Sequence, residues 1–238
     1  MLEALRAAVV RCAQEAEANG LCRWRSGNFS ARDEVTGLIC VTPSGVERRA
    51  MQPDDIVVMD GDAQVVYAAE GRRPSSEVLM HIAAYEERPD VRAVAHTHSP
   101  FALVFAALER SIPALVLEAA HLHCEGGRIP VAPFAPQGTD ALADSVREPL
   151  RRGDALLLAR HGALTVGTSP EDALLKAAYV EELAAVAYRA AAIAGTAVLS
   201  PLSPSELRLH YPEKIRLPAV QPSDSGSTQI PGRRNRHD

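Results

Sequence analysis

The chain has 238 residues, 47% of them hydrophobic, and a formal net charge of −5, enough to bury a full core and indicative of one compact domain. Its mild acidity gives no electrostatic reason to expect nucleic acid, and its apolar runs fall far short of the ~20 residues that a membrane span needs. Four scattered cysteines, Cys12, Cys22, Cys40 and Cys124, form no CxxC pair, which speaks against a thiolate zinc site and against a disulfide framework. No charged-then-apolar leader is visible, so the expected location is cytoplasmic.

Apolar residues at helical spacing (Leu5, Ala8, Val9, Cys12, Ala16) predict a first helix over Leu2 to Asn19, ended by Gly20. Short β-like runs at Leu38 to Thr42, Ile56 to Asp60 and Val65 to Tyr67, separated by turn formers, predict a meander. Pro74-Ser75-Ser76-Glu77 opens a helix to about Glu87, with Ser75 or Ser76 as its cap and Glu77 in its first turn, where the helix dipole favours an anion. Val91 to His98 reads as a strand, Pro100 to Leu108 as a helix with proline in its first turn, and Ala114 to Glu118 as a short strand.

Asp140 to Arg151 reads as a helix and Ala155 to Val166 as one long strand interrupted at His161-Gly162. Ser169 starts an alanine-rich helix lasting to Gly195. From Pro201 the chain is rich in proline and serine, so after a short helix near Ser205 to Leu209 little regular structure is expected. The implied organisation is a catalytic-type domain over residues 1–200 with an extension over 201–238. Early hairpins followed by α/β alternation indicate a layered α/β fold around one sheet.

His96 and His98 lie one residue apart in VAHTHSP, so on a strand both imidazoles face the same way. That spacing fits a metal pair, and equally a hydrogen-bonded surface pair. His161, at the end of the apolar run Ala155 to Ala159, needs a polar partner or a metal; three histidines with an open position are a common catalytic zinc arrangement. Glu77 can serve beside such an ion as a displaceable ligand and proton carrier, or simply stabilise a helix start. Ser26-Gly27-Asn28-Phe29-Ser30, Thr42-Pro43-Ser44-Gly45 and Ser75-Ser76 could together offer amides and hydroxyls to an oxyanion such as phosphate, although each is also an ordinary turn by composition.

SGNFSAR (Ser26 to Arg32), VTPSG (Val41 to Gly45), PSSE (Pro74 to Glu77), HTHSP (His96 to Pro100) and RHGAL (Arg160 to Leu164), in that order and at these intervals, resemble the class II aldolase/adducin family. The resemblance, which includes the fuculose-phosphate aldolases, runs from the first helix to about Gly195. It implies a single-domain, three-layer αβα fold around a mixed, largely antiparallel central sheet. It further implies that His96, His98 and His161 bind zinc, with manganese or cobalt as alternatives, and that Glu77 is both a resting-state ligand and the acid/base. Asn28, Ser44, Gly45, Ser75 and Ser76 match the family's phosphate pocket, with Gly27 shaping the turn.

The implied activity is reversible, zinc-dependent cleavage of a short phosphorylated ketose into dihydroxyacetone phosphate and an aldehyde through a metal-stabilised enediolate. The implied assembly is a homotetramer with active sites at subunit interfaces. Alternatives are a dehydratase or decarboxylase of the same family, and a non-catalytic scaffold resembling the adducin head; retention of three histidines and Glu77 argues against the scaffold. A glutamate at position 77 also argues against the epimerase branch, which is similar but carries aspartate there. One departure concerns the aldehyde end: the tyrosine used there by the fuculose-phosphate enzymes falls at about Leu117, leaving Glu118 and His121 as candidate replacements or as parts of a packing loop. His81, four residues after Glu77, reads as a buried hydrogen-bonding histidine rather than a fourth ligand.

Overall fold

A computed structural model describes residues 1–195 and 199–210. In chain order, α1 (Glu3–Ala18) leads into β1 (Asn28–Arg32), β2 (Ile39–Val41), β3 (Val57–Met59) and β4 (Val65–Tyr67). There follow α2 (Val78–Glu87), β5 (Ala93–Thr97), α3 (Pro100–Ala107), β6 (Ile112–Pro113), β7 (Arg128–Ile129) and β8 (Val131–Ala132). The order closes with α4 (Asp140–Arg151), β9 (Ala155–Leu158), β10 (Gly162–Gly167), α5 (Pro170–Ala194) and α6 (Pro204–Leu209). Eight strands form one sheet in the order β4-β3-β2-β1-β5-β10-β9-β8. Every pairing in it is antiparallel except β8 with β9.

Strand alternation sorts the core into layers. On one face Val94, Leu156, Leu158, Leu164 and Val166 pack with α2 and α4, through residues such as Met80, Ile82, Leu142 and Val146. On the other, Phe29, Ala31, Ala93 and Ala95 meet α1 and the start of α5, while Leu157 and Ala163 meet α3 and the middle of α5. The result is the expected three-layer αβα fold. Leu156 and Leu158 are essentially fully buried, each worth roughly 1.5–3 kcal/mol against exposure. Thr139 and Ser169 cap α4 and α5 by accepting the amide protons of Leu142 and Asp172.

Three local expectations are corrected. The run expected as one strand from Ala155 to Val166 is a hairpin, because Arg160 adopts a left-handed backbone (φ 57°) and turns the chain within three residues. No strand forms over Ala114 to Glu118: β6 ends before it, at Pro113, and a tight helical turn over Leu117–Leu122 takes up its end. The stretch Ser26 to Ser30, an ordinary turn by composition, runs instead into a central buried strand over Asn28–Arg32; polar Asn28 and Ser30 disguise a strand whose outward parity faces a buried polar site. The expected short helix near Ser205 forms as α6. The remainder of the 201–238 extension, after residue 210, lies outside the described residues.

Candidate metal centre

Three neighbouring elements deliver the imidazoles. His96 lies on β5, in register opposite Asn28 of β1 and Leu164 of β10, so its parity places it on the α2 face with Val94. His98 follows two residues later beyond the strand, and His161 occupies the turn between β9 and β10. The ring centroids lie 4.7, 4.8 and 5.1 Å apart, and one nitrogen of each ring falls within 4.8 Å of the others. Gly162 allows this approach, since a Cβ there would overlap the carbonyl of Thr97 and crowd both the His96 and His98 rings. Gly27, at φ 79°, leaves no room for a Cβ, which would meet Cys22 Sγ and the His96 carbonyl at 2.6 Å.

Glu77 corrects the helix-cap expectation. It occupies the cap position of α2 itself without any side-chain capping bond, while Ser75 Oγ accepts the Glu77 amide proton at 3.3 Å. The Glu77 carboxylate turns toward the imidazoles: Oε2 lies 3.3 Å from His96 Nε2 and Oε1 lies 3.0 Å from His161 Nε2. Oε2 also accepts a hydrogen bond from Asn28 Nδ2 at 2.7 Å, whereas buried Oε1 has no partner in hydrogen-bonding geometry. Burial pushes this carboxyl up, but His161 and His96 outweigh it and hold the group well below the usual carboxylate range. Burial, followed by the neighbouring His96 and His161, lowers His98 to about 3.

These observations fit a divalent cation. His96 Nδ1 lies 2.9 Å from the Ala163 carbonyl, which can only accept, so Nδ1 carries the proton and Nε2 presents a lone pair. That lone pair faces His98 Nε2 at 2.9 Å. Three imidazole nitrogens and one ionised carboxylate oxygen, the latter orphaned, form the donor set that a four-coordinate cation satisfies.

The two hydroxyl-bearing loops are pinned beside Glu77. Ser44 N–H donates to the Arg73 carbonyl at 2.9 Å and Ser75 N–H to the Thr42 carbonyl at 3.1 Å, with a bridge between Pro43 and Pro74. Ser44, Gly45 and Ser76 are exposed, and Ser75 is buried. The Asn28 amide is engaged inside instead, between Glu77 and His81. Arg48, which sequence reasoning passed over, clasps the carbonyls of Trp24, Ser26 and Gly27 and so fixes the turn before Asn28. Glu118 is exposed, and His121 stacks on Tyr179 of α5 with ring centroids 4.5 Å apart.

Sequence reasoning also missed Ser30 and Tyr85. Their signal was present: Glu77, His81 and Tyr85 recur every four residues on α2, and Ser30 follows Asn28 at strand spacing.

Fold and site together define an αβα domain with a three-histidine cation cradle and an adjacent buried carboxylate. Residues 7–188 match the family described as Class II Aldolase and Adducin N-terminal domain, and the chain belongs to that family. It is 32% identical over 193 residues to a 5-deoxy-D-ribulose 1-phosphate aldolase of Bacillus thuringiensis serovar kurstaki, spanning 81% of this chain and 88% of the relative. A 5-methylthioribulose-1-phosphate/5-deoxyribulose-1-phosphate aldolase of Escherichia coli is 36% identical over 176 residues, 74% of this chain and 79% of its own. Among solved structures, an L-fuculose 1-phosphate aldolase superposes with a TM-score of 0.80 at 30% identity, covering 87% of this chain and 94% of the other. The chain is accordingly a lyase of the aldolase class. Among the described residues no helix is long and apolar enough to cross a membrane.

Proposed function

We propose that the chain is a zinc-dependent aldolase that reversibly cleaves a short ketose 1-phosphate into dihydroxyacetone phosphate and an aldehyde. The observation that carries this reading is the Glu77 carboxylate, buried among three imidazoles with one oxygen orphaned. A cation held by His96, His98 and His161 supplies electrophilic polarisation of the substrate carbonyl and hydroxyl oxygens. Manganese or cobalt satisfies the same nitrogen donors. Glu77 moves a proton at the carbon released by bond cleavage, and its Oε1 is the oxygen free to do so. Ser44, Gly45, Ser75 and Ser76 receive the phosphate, with Gly27 and Asn28 shaping the adjoining wall.

The names of the sequence relatives favour 5-deoxyribulose 1-phosphate or its methylthio analogue as substrate. An exposed Leu117, at the place where the family resemblance puts a tyrosine, suits an aldehyde without a terminal hydroxyl. Glu118 and His121 remain the nearby candidates for an acid on that side. Apolar side chains left exposed on the single chain, including Trp24, Leu108 and Phe134, support a homotetramer with active sites at its interfaces. A soluble, cytoplasmic enzyme is the corresponding setting.

The test is turnover of metal-replete protein on 5-deoxyribulose 1-phosphate, ribulose 1-phosphate and fuculose 1-phosphate, read as dihydroxyacetone phosphate. Release by the wild type and not by Glu77→Gln or His96→Ala is the expected result. A dehydrated or decarboxylated product from the same phosphates overturns the aldolase assignment.

A further inference from the structure

A buried chain of hydrogen bonds runs from Glu77 along the sheet-facing side of α2. Asn28 Nδ2 lies 2.7 Å from Glu77 Oε2, and Asn28 Oδ1 lies 2.5 Å from His81 Nε2. His81 Nδ1 lies 2.7 Å from Ser30 Oγ, which lies 2.7 Å from the Tyr85 hydroxyl. Asn28, Ser30, His81 and Tyr85 are all buried, His81 completely.

An ionised carboxylate fixes the direction of every bond in this chain. Glu77 can only accept, so the Asn28 atom facing it is the amide nitrogen, and the amide oxygen must face His81. That oxygen also only accepts, which places the His81 proton on Nε2 and leaves a lone pair on Nδ1. Ser30 therefore donates to Nδ1, and Tyr85 donates to Ser30. One sense of donation thus runs Tyr85, Ser30, His81, Asn28, Glu77, and in such a chain each donor polarises the next. Burial, followed by the neighbouring His96, lowers the His81 imidazole to about 3, in keeping with the neutral ring that this order requires.

We infer that His81, Ser30 and Tyr85 are positioning residues that, through Asn28, lock one oxygen of Glu77 as a permanent acceptor and reserve the other, Oε1, for the proton that moves. The proton assignment rests on the aldolase reading; the one-way order of the chain does not. The consequence for the cation cradle is orientational: without the Asn28 bond, the carboxylate is free to rotate away from His96 and His161, and outer-shell partners of this kind typically govern metal affinity by 10–100-fold.

Two measurements test this. Nitrogen-15 spectra of the imidazoles in the full chain should show His81 as the neutral Nε2–H tautomer between pH 5 and 9; an Nδ1–H tautomer or an imidazolium overturns the inference. Titration with Co²⁺ should show His81→Leu binding at least about tenfold more weakly than wild type, with His81→Gln recovering most of the loss by restoring a donor toward Asn28. Equal affinity in a folded His81→Leu protein also overturns it. If that variant does not fold, Tyr85→Phe, which removes only the first donor, should weaken Co²⁺ binding by a smaller factor, and unchanged affinity there counts against the chain. Neither readout needs turnover, so an inactive but metal-binding wild type would refute the aldolase reading and leave this result standing.

Discussion

The two ends of β10 both carry buried charge, and they treat it in opposite ways. At the Gly167 end, Lys176 Nζ lies 3.0 Å from Asp154 Oδ2, 3.0 Å from Asp172 Oδ2 and 3.2 Å from the Val166 carbonyl. Arg88 Nη2 completes the group at 3.0 Å from Asp154 Oδ1. Each cationic donor there faces an acceptor, and the cluster ties α2, β9, β10 and α5 together. At the Gly162 end, the Nε2 lone pair of His96 lies 2.9 Å from His98 Nε2 and Glu77 Oε1 has no partner in hydrogen-bonding geometry. A satisfied buried network holds a fold, whereas a group of imidazoles around an ionised carboxylate is a donor set that could hold a cation.

The largest expected effect breaks the contrast at its chemical end. Glu77→Gln should lower turnover by about 10²–10⁴-fold, the usual worth of a positioned acid/base, while the protein still unfolds cooperatively at a modestly lower midpoint, because the ionised carboxylate that His161 and His96 favour in the folded state is lost. A variant that is equally inactive but grossly destabilised would make Glu77 structural. The converse holds at the other end. Lys176→Met leaves Asp154 and Asp172 without their shared cation, and breaking a buried ion pair of this kind costs about 3–5 kcal/mol, read by denaturant unfolding. The folded fraction should still bind one cation.

Acid and alkali should sharpen the same comparison. His81 and His98 are both lowered to about 3 from an ordinary 6.5, so the unfolded chain binds their protons first and metal-free stability falls as pH drops from 6.5 toward 3. Lys176 is raised: burial lowers it, but Asp154 and Asp172 together outweigh that. Its contribution is present below pH 10.5 and is lost as pH rises through the folded value. Urea midpoints across pH should therefore decline on both flanks, with Lys176→Met flattening only the alkaline one. The smallest effect is expected at the surface, where Glu118→Gln should change stability by no more than about 0.5 kcal/mol. A large loss of turnover in that variant would assign Glu118 to the aldehyde side.

Much of this is legible in the amino-acid sequence. Periodicity identified α1, α4 and α5, and HTHSP with RHGAL identified the three imidazoles. What escaped was polar secondary structure inside the core. Asn28 and Ser30 made a central strand read as a turn, because strand patterning assumes an apolar inner face. The Ala155 to Val166 run concealed a hairpin because Arg160 adopts a left-handed backbone without being glycine. The residues alone left Glu77 open between a dipole-stabilising carboxylate and a partner of the metal, because sequence gives a residue's place on a helix and not the direction of its side chain; the family resemblance favoured the second. The Asn28 and His81 partnership joins strand to helix across 53 positions, beyond the reach of local pattern.

The central claim is that the unsatisfied end of β10 works only around a cation. Its most direct test measures metal content and dihydroxyacetone phosphate release from 5-deoxyribulose 1-phosphate on one sample, before chelation, after chelation and after zinc is restored. The account predicts one metal ion per chain, with turnover lost and regained in parallel with it. Full turnover by demonstrably metal-free protein would contradict it.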